Sequence, residues 1–206
     1  MTESRRGRPR TFDRDKALTT AVRLFWERGY EATSVSELTA AMDIRPASLY
    51  AAFIDKKTLF KEAVLAYQRS EPANFAGIAL REEPTAYGAI SRILREAIEI
   101  YTDPSHPAGC LIIRSATNVN PRDADVGVFL RDIRNANIAV FAARLDEAVR
   151  AGELPDSVDT RALAQYFGAV IQGLSQRAAD GVPAEGLRPV VELALKAWPV
   201  PPPEHR

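Results

Sequence analysis

The run Arg45-Pro46-Ala47-Ser48-Leu49-Tyr50, with Lys56 and Lys57 after it, gathers side chains suited to gripping a polyanion. If a short helix starts at Pro46, then Ile44, Leu49 and Phe53 face a core while Arg45, Ala47, Ser48 and Tyr50 point away from it. Small residues at such a helix start let it approach base edges. Ser48 and Tyr50 can donate to phosphates, the two lysines add charge beside the backbone, and Ala51 and Ala52 are of a size to meet thymine methyls. A different chemistry is available at Cys110, the one cysteine of the chain, which excludes an internal disulfide and a multi-thiolate metal site. Pro107 stands where a helix can begin. That would put Cys110 in a first turn, where the helix dipole favours a thiolate, with Arg114 one turn later on the same face. The alternative is inert packing, the usual fate of a cysteine in a protein interior. His106 and Cys110 lack the further ligands a metal would need. With two histidines in the chain and no catalytic constellation around Cys110, neither an enzyme nor a cofactor is expected.

These residues need elements to hold them, and the apolar periodicity supplies only helices. No segment alternates with period 2, whereas several repeat at i, i+3, i+4 and i+7, so the fold class is all-α. The first helix spans about 13–28, with Leu18, Ala21, Val22 and Phe25 as its stripe and Gly29 as its stop. Ser34 and Glu37 have the spacing of a capping box, which starts a second short helix ending near Ala41. Asp43 sits at the tight turn, Pro46 opens the third helix, and Asp55 caps a fourth with Phe60, Ala63, Val64 and Tyr67 inward. Two short helices joined by a turn and packed on an earlier one can present the second to a DNA major groove. Two prolines make the segment beyond Ser70, through Gly88, read as a loose link between units.

Longer helices follow. Their stripes are Ile90 to Tyr101, then Val126, Phe129, Leu130, Ile133, Val140, Phe141 and Leu145, then Leu163 to Leu174, and finally 187–198. A shorter helix between the first two carries Cys110 to about Asn118. Tyr101, Asn118, Arg134, Asn137 and Gln172 are polar groups on or beside apolar stripes; they either orient a ligand or are satisfied inside the protein. Ala164 and Gly168, one turn apart beside Phe167, Ile171 and Leu174, permit close approach of another helix, from a partner chain or from this one. Up to Arg69 the chain has 13 Lys and Arg against 9 Asp and Glu, and beyond it 14 against 18. A net charge of zero therefore hides a basic part that suits polyanions and an acidic part that does not. The start MTESRRGRPR has no apolar stretch of the signal-peptide kind, and no apolar run is long enough to span a bilayer, so the cytoplasm is the expected compartment and no membrane partner is expected.

The stretch 11–67 resembles the N-terminal DNA-binding domain of the TetR family of regulators. The resemblance rests on the aromatic residue, Gly29 and Tyr30 that end the first helix, Thr33-Ser34 before the second, Ser48-Leu49-Tyr50-x-x-Phe53 in the third, and Lys56-x-x-Leu59-Phe60 in the fourth. It implies that Thr33, Ser48, Tyr50 and Lys56 contact the DNA backbone and that Arg45, Pro46 and Ala47 lie nearest the bases. Two positions depart from the family pattern. Asp43 replaces the usual turn glycine, and Arg45 replaces a small polar helix cap. The arm 1–10 contains Arg6-Gly7-Arg8-Pro9-Arg10, similar to the core of an AT-hook, which implies Arg8 and Arg10 in a narrow minor groove or else a solvated basic tail.

For residues 70–198 the family implies a helical effector-binding and dimerisation domain, with 199–206 as a tail. The last two helices would form a four-helix bundle with a partner, assigning Ala164, Phe167, Gly168, Ile171 and Leu174 to the homodimer. Pro107-x-Gly109-Cys110-Leu111 is similar to the pattern of family members that sense electrophiles or oxidants through this cysteine. The expected function is thus a transcriptional regulator, a repressor released from double-stranded operator DNA by a small-molecule effector or by modification of Cys110. The alternative is a DNA-binding scaffold of the nucleoid-occlusion kind that acts through a protein partner.

Overall fold

Local capping chemistry explains where the helices start. In the computed structural model, which describes residues 13–115 and 119–199, Asp13 accepts the Lys16 amide at 3.1 Å and opens α1 (Arg14–Arg28). Gly29 stops α1 at φ 81°, ψ 175°, a conformation essentially reserved for glycine. At the head of α2 (Val35–Met42) the Glu37 amide donates to Ser34 Oγ and the Ser34 amide donates back to Glu37 Oε2, the reciprocal box the sequence predicts. Asp43 turns the chain in the left-handed region at φ 55°, ψ 47°, which Asp tolerates better than most residues. Then come α3 (Pro46–Phe53) and α4 (Lys56–Gln68), the latter capped by Asp55. These four helices close over Ala21, Phe25, Leu38, Leu49, Phe53, Phe60 and Tyr67. The buried stripe of α1 is Ala17, Ala21, Phe25 and Trp26; Leu18 and Val22 lie at its margin, so the face is turned slightly from the one expected.

The expected loose link is instead a helix, α5 (Glu71–Glu82). Pro72 falls in its first turn, where no amide bond is lost, and Phe75 and Ala79, four apart, are buried. After it come α6 (Ala86–Thr102), α7 (Leu111–Arg114), a 3₁₀ turn at Pro121–Asp123, α8 (Ala124–Arg150), α9 (Thr160–Ala179) and α10 (Ala184–Leu195). A second core joins α5, α6, the C-terminal half of α8, α9 and α10 through Phe75, Ile93, Ile98, Phe141, Phe167 and Val191. The two cores do not divide cleanly at Arg69. Leu111 and Ile112 of α7 and Val126 and Leu130 of α8 belong to the first, so α8, about 40 Å long, is anchored in both.

The small residues of α9 face this chain's own α8. A Cβ on Gly168 would run into Ile138, and Ala164, Phe167, Gly168 and Leu174 are buried inside the single chain, with Ile171 half-buried. The assignment of Ala164, Phe167, Gly168 and Leu174 to the partner contact is therefore corrected. Exposed instead are Ala162, Tyr166, Ala169 and Gly173 of α9 and Gly186, Val190 and Leu193 of α10. No helix of the described residues is long and apolar enough to cross a membrane.

Candidate nucleic-acid interface and effector cavity

Arg45, Pro46 and Ala47 are exposed at the start of α3, Tyr50 is 48% exposed, and Ser48 is half-buried. Leu49 and Phe53 are buried on the opposite face. Arg45 makes no side-chain cap, and Pro46 has no amide to satisfy, so the helix starts without occupying the Arg45 guanidinium. Between α3 and α4, Ile54 sits at φ 68°, ψ −61°, and the Asp55 amide donates to the Phe53 carbonyl at 2.7 Å. This is the rare positive-φ γ-turn, strained for a β-branched residue, and it leaves the Ile54 side chain 74% exposed beside the recognition helix. Asp55 then accepts the Thr58 amide at 2.7 Å, which holds its carboxyl below the usual range and sets Lys56 and Lys57 in the first turn of α4.

The remaining predicted contacts divide. Lys56 lies 4.2 Å from the Tyr30 ring centroid, half-buried, and burial lowers its ammonium from the usual value. Lys57 is committed elsewhere: it pairs with Asp125 at 2.7 Å and with Asp123 at 3.0 Å, while Lys61 pairs with Asp125 at 2.9 Å. Thr33 is fully buried, and its hydroxyl donates to the Gly29 carbonyl at 2.7 Å. In this conformation it braces the turn after α1 rather than reaching a phosphate, which corrects the expectation from the resemblance. Arg8, Arg10 and Asn118 lie outside the described residues.

A cavity of about 280 Å³ opens between α4, α5, α8 and α9. Tyr101, Cys110, Arg134, Asn137 and Gln172 all line it, as do Gly168 and Ile171. Arg114 does not; it donates to the Ala108 carbonyl at 3.1 Å. Tyr67 and Gln68, the last turn of α4, and Asn74, Phe75 and Gly77 of α5 form walls that sequence reasoning missed. The four-residue spacing of Phe75 and Ala79 was the available signal for α5.

No helix begins at Pro107. Gly109 at φ 77° donates to the Tyr101 carbonyl at 2.9 Å, and a Cβ there would come within 2.6 Å of the Ser175 carbonyl oxygen, so the segment loops back until α7 starts at Leu111. Cys110 is the extended residue before that four-residue helix, its own amide donating to Ser175 Oγ at 2.8 Å. Its side chain keeps a little accessible surface through the cavity, yet protein surrounds it densely. Burial pushes the thiol up, outweighing its hydrogen bond with Tyr67, the amides of Ile113 and Ile112, and the charge of Arg134. The expected dipole-stabilised thiolate is thus corrected to a protonated thiol. The same loop grips α1: Trp26 Nε1 donates to the Gly109 carbonyl at 3.1 Å, and His106 stacks on the Trp26 ring at 4.5 Å.

Residues 17–63 match the bacterial regulatory proteins of the tetR family, and residues 87–181 match the tetracyclin repressor-like C-terminal domain. The chain belongs to the TetR family. It is 32% identical over 194 residues to the HTH-type transcriptional repressor ComR of Escherichia coli strain K12, covering 94% of this chain and 92% of that protein. It is 30% identical to the repressor BdcR of the same strain, covering 93% and 91%. Among solved structures, the TetR family transcriptional regulator CifR, a cysteine mutant in complex with 26-base-pair operator DNA, superposes with a TM-score of 0.88 at 41% identity, covering 93% of this chain and all of that one. As a family member the chain is a DNA-binding transcriptional regulator, not an enzyme.

Proposed function

We propose that two copies of this chain bind a palindromic operator as a homodimer in the cytoplasm and repress transcription until a small molecule enters the cavity or modifies Cys110 there. One observation carries the reading. The helix α4 is about 20 Å long, begins at Lys56 beside the recognition helix and ends at Tyr67 and Gln68 in the cavity wall. A ligand that favours one position of its last turn also favours one position of its first, and hence one separation of the two recognition helices. Half-sites one turn apart demand a separation of roughly 34–36 Å. The operator complex of CifR supports the DNA half of the proposal. The cavity favours the effector half over a scaffold of the nucleoid-occlusion kind, which has no need of one.

The test uses DNA flanking the chain's own gene. Wild-type protein should bind a palindromic segment of it, and Tyr50→Ala and Lys56→Ala should each weaken specific and nonspecific binding alike, the lysine variant also lowering the salt slope by about 1. Unchanged affinity in both would remove α3 and α4 from the interface.

A further inference from the structure

The cavity wall is chemically lopsided. Of its described lining residues Arg134 alone bears a formal charge, and no carboxylate is among them. Two partly buried arginines elsewhere meet acids: Arg92 pairs with Glu82, Glu83 and Glu96, and Arg144 lies 3.9 Å from Glu153. Arg134 is half-buried and, among the described residues, makes one hydrogen bond, donating to the Ile112 carbonyl at 3.1 Å, for a group with five N–H donors. The charge that most affects it is Arg131, of the same sign, which together with burial lowers the guanidinium from its usual value. Withdrawing a cation from water is costly unless an anion meets it.

We infer that the cavity takes a small organic carboxylate, its head held by Arg134 and its short apolar body laid against Phe75, Ile138 and Phe141. The inference rests on the effector reading above. A guanidinium fork matches a planar carboxylate in two parallel hydrogen bonds. Asn137, one turn further along α8, and Gln172 on α9 line the same space with amide donors for a carboxylate oxygen. The volume lies just below the range of about 300–1,000 Å³ usual for ligand sites, which suits a compact molecule. A neutral ligand of the same shape leaves the half-buried cation unanswered, so the site discriminates by charge.

The experiment compares matched pairs, phenylacetate with phenylacetamide and hexanoate with hexanamide, at constant ionic strength. Thermal shift and operator release are measured on the full-length wild type, Arg134→Gln and Arg134→Lys. At least one carboxylate should raise the Tm and release DNA at concentrations where its amide does neither. Arg134→Gln should lower carboxylate affinity by roughly tenfold or more, with Arg134→Lys in between. If amides act as well as carboxylates, or Arg134→Gln binds carboxylate unchanged, the anion inference falls and the effector reading stands. If no compound of either kind binds, both fall. Should Arg134→Gln not fold, the wild type's preference between acid and amide decides alone.

Discussion

Under the proposed function Cys110 answers a signal as a protonated thiol, and its surroundings keep the proton on. Burial raises its proton affinity, and Tyr67 and Arg134 face it across the cavity without offsetting that cost. A bulk reagent therefore finds little thiolate, whereas an electrophile held by the cavity is brought to the sulfur at high effective concentration. Iodoacetamide at pH 7 should label Cys110 in the folded protein more slowly than it labels a cysteine peptide, and denaturant should restore the peptide rate. Labelling at or above the peptide rate would return the thiolate reading. The sign of the pH dependence follows. Because the folded-state pKa lies above the ordinary 9.0, the protonated thiol contributes stability that is complete below that value and is lost as pH climbs through the raised one. The Cys110→Ser variant should lose less stability than wild type on alkaline titration followed by circular dichroism.

The helices were legible in the sequence where a side chain caps them: Ser34 with Glu37, and Asp55, do what their spacing announces, and Asp13 caps the first helix at the start its periodicity gave. The helix α5 was not, because a proline near a helix start and a proline in a linker look alike until the buried face of Phe75 and Ala79 is known. Nor could the loop at Cys110 be read, since its path depends on Ser175, 65 residues away. Least visible was the anchoring of α8 onto α4. Asp123 and Asp125 meet Lys57 and Lys61, and the Tyr30 hydroxyl, pushed up to about 12 by burial and by Asp123, joins the same cluster. The pairs are partly solvated, so they set the register of α8 on α4 more than they add stability. Asp125→Asn should lower the Tm by no more than about 2 °C. In hydrogen exchange, the first turns of α8 should lose protection several-fold while α6 keeps its own. The pairing should also fade as pH falls toward 2, the value to which the lysines hold Asp125, having been complete above the ordinary carboxylate range. Unchanged exchange in Asp125→Asn would mean that Val126 and Leu130 alone seat α8.

At the scale of the whole molecule the two faces of α9 have opposite duties. The inner face, with Phe167 and Leu174 in the core and Gly168 against Ile138, holds α8 and closes one side of the cavity. The pattern of small residues that suggested a partner is satisfied within the chain, and sequence alone does not distinguish one neighbouring helix from another. The outer face, with Tyr166 40% exposed, lies beside α10, where Leu193 is 63% exposed and Val190 46%. Large apolar side chains left open on adjacent helices are what a symmetric partner would cover. The two faces predict different failures. Phe167→Ala empties a packed site and should cost about 3–5 kcal/mol of stability. Leu193→Glu removes nothing from either core, so the chain should remain folded by circular dichroism while light scattering reports a monomer. Affinity for a palindromic operator should then fall by roughly 100-fold or more, because the second recognition helix is no longer tethered to the first, while each half-site is still recognised. A Leu193→Glu protein that stays dimeric would place the partner contact on another surface and free the outer faces of α9 and α10 for a different role.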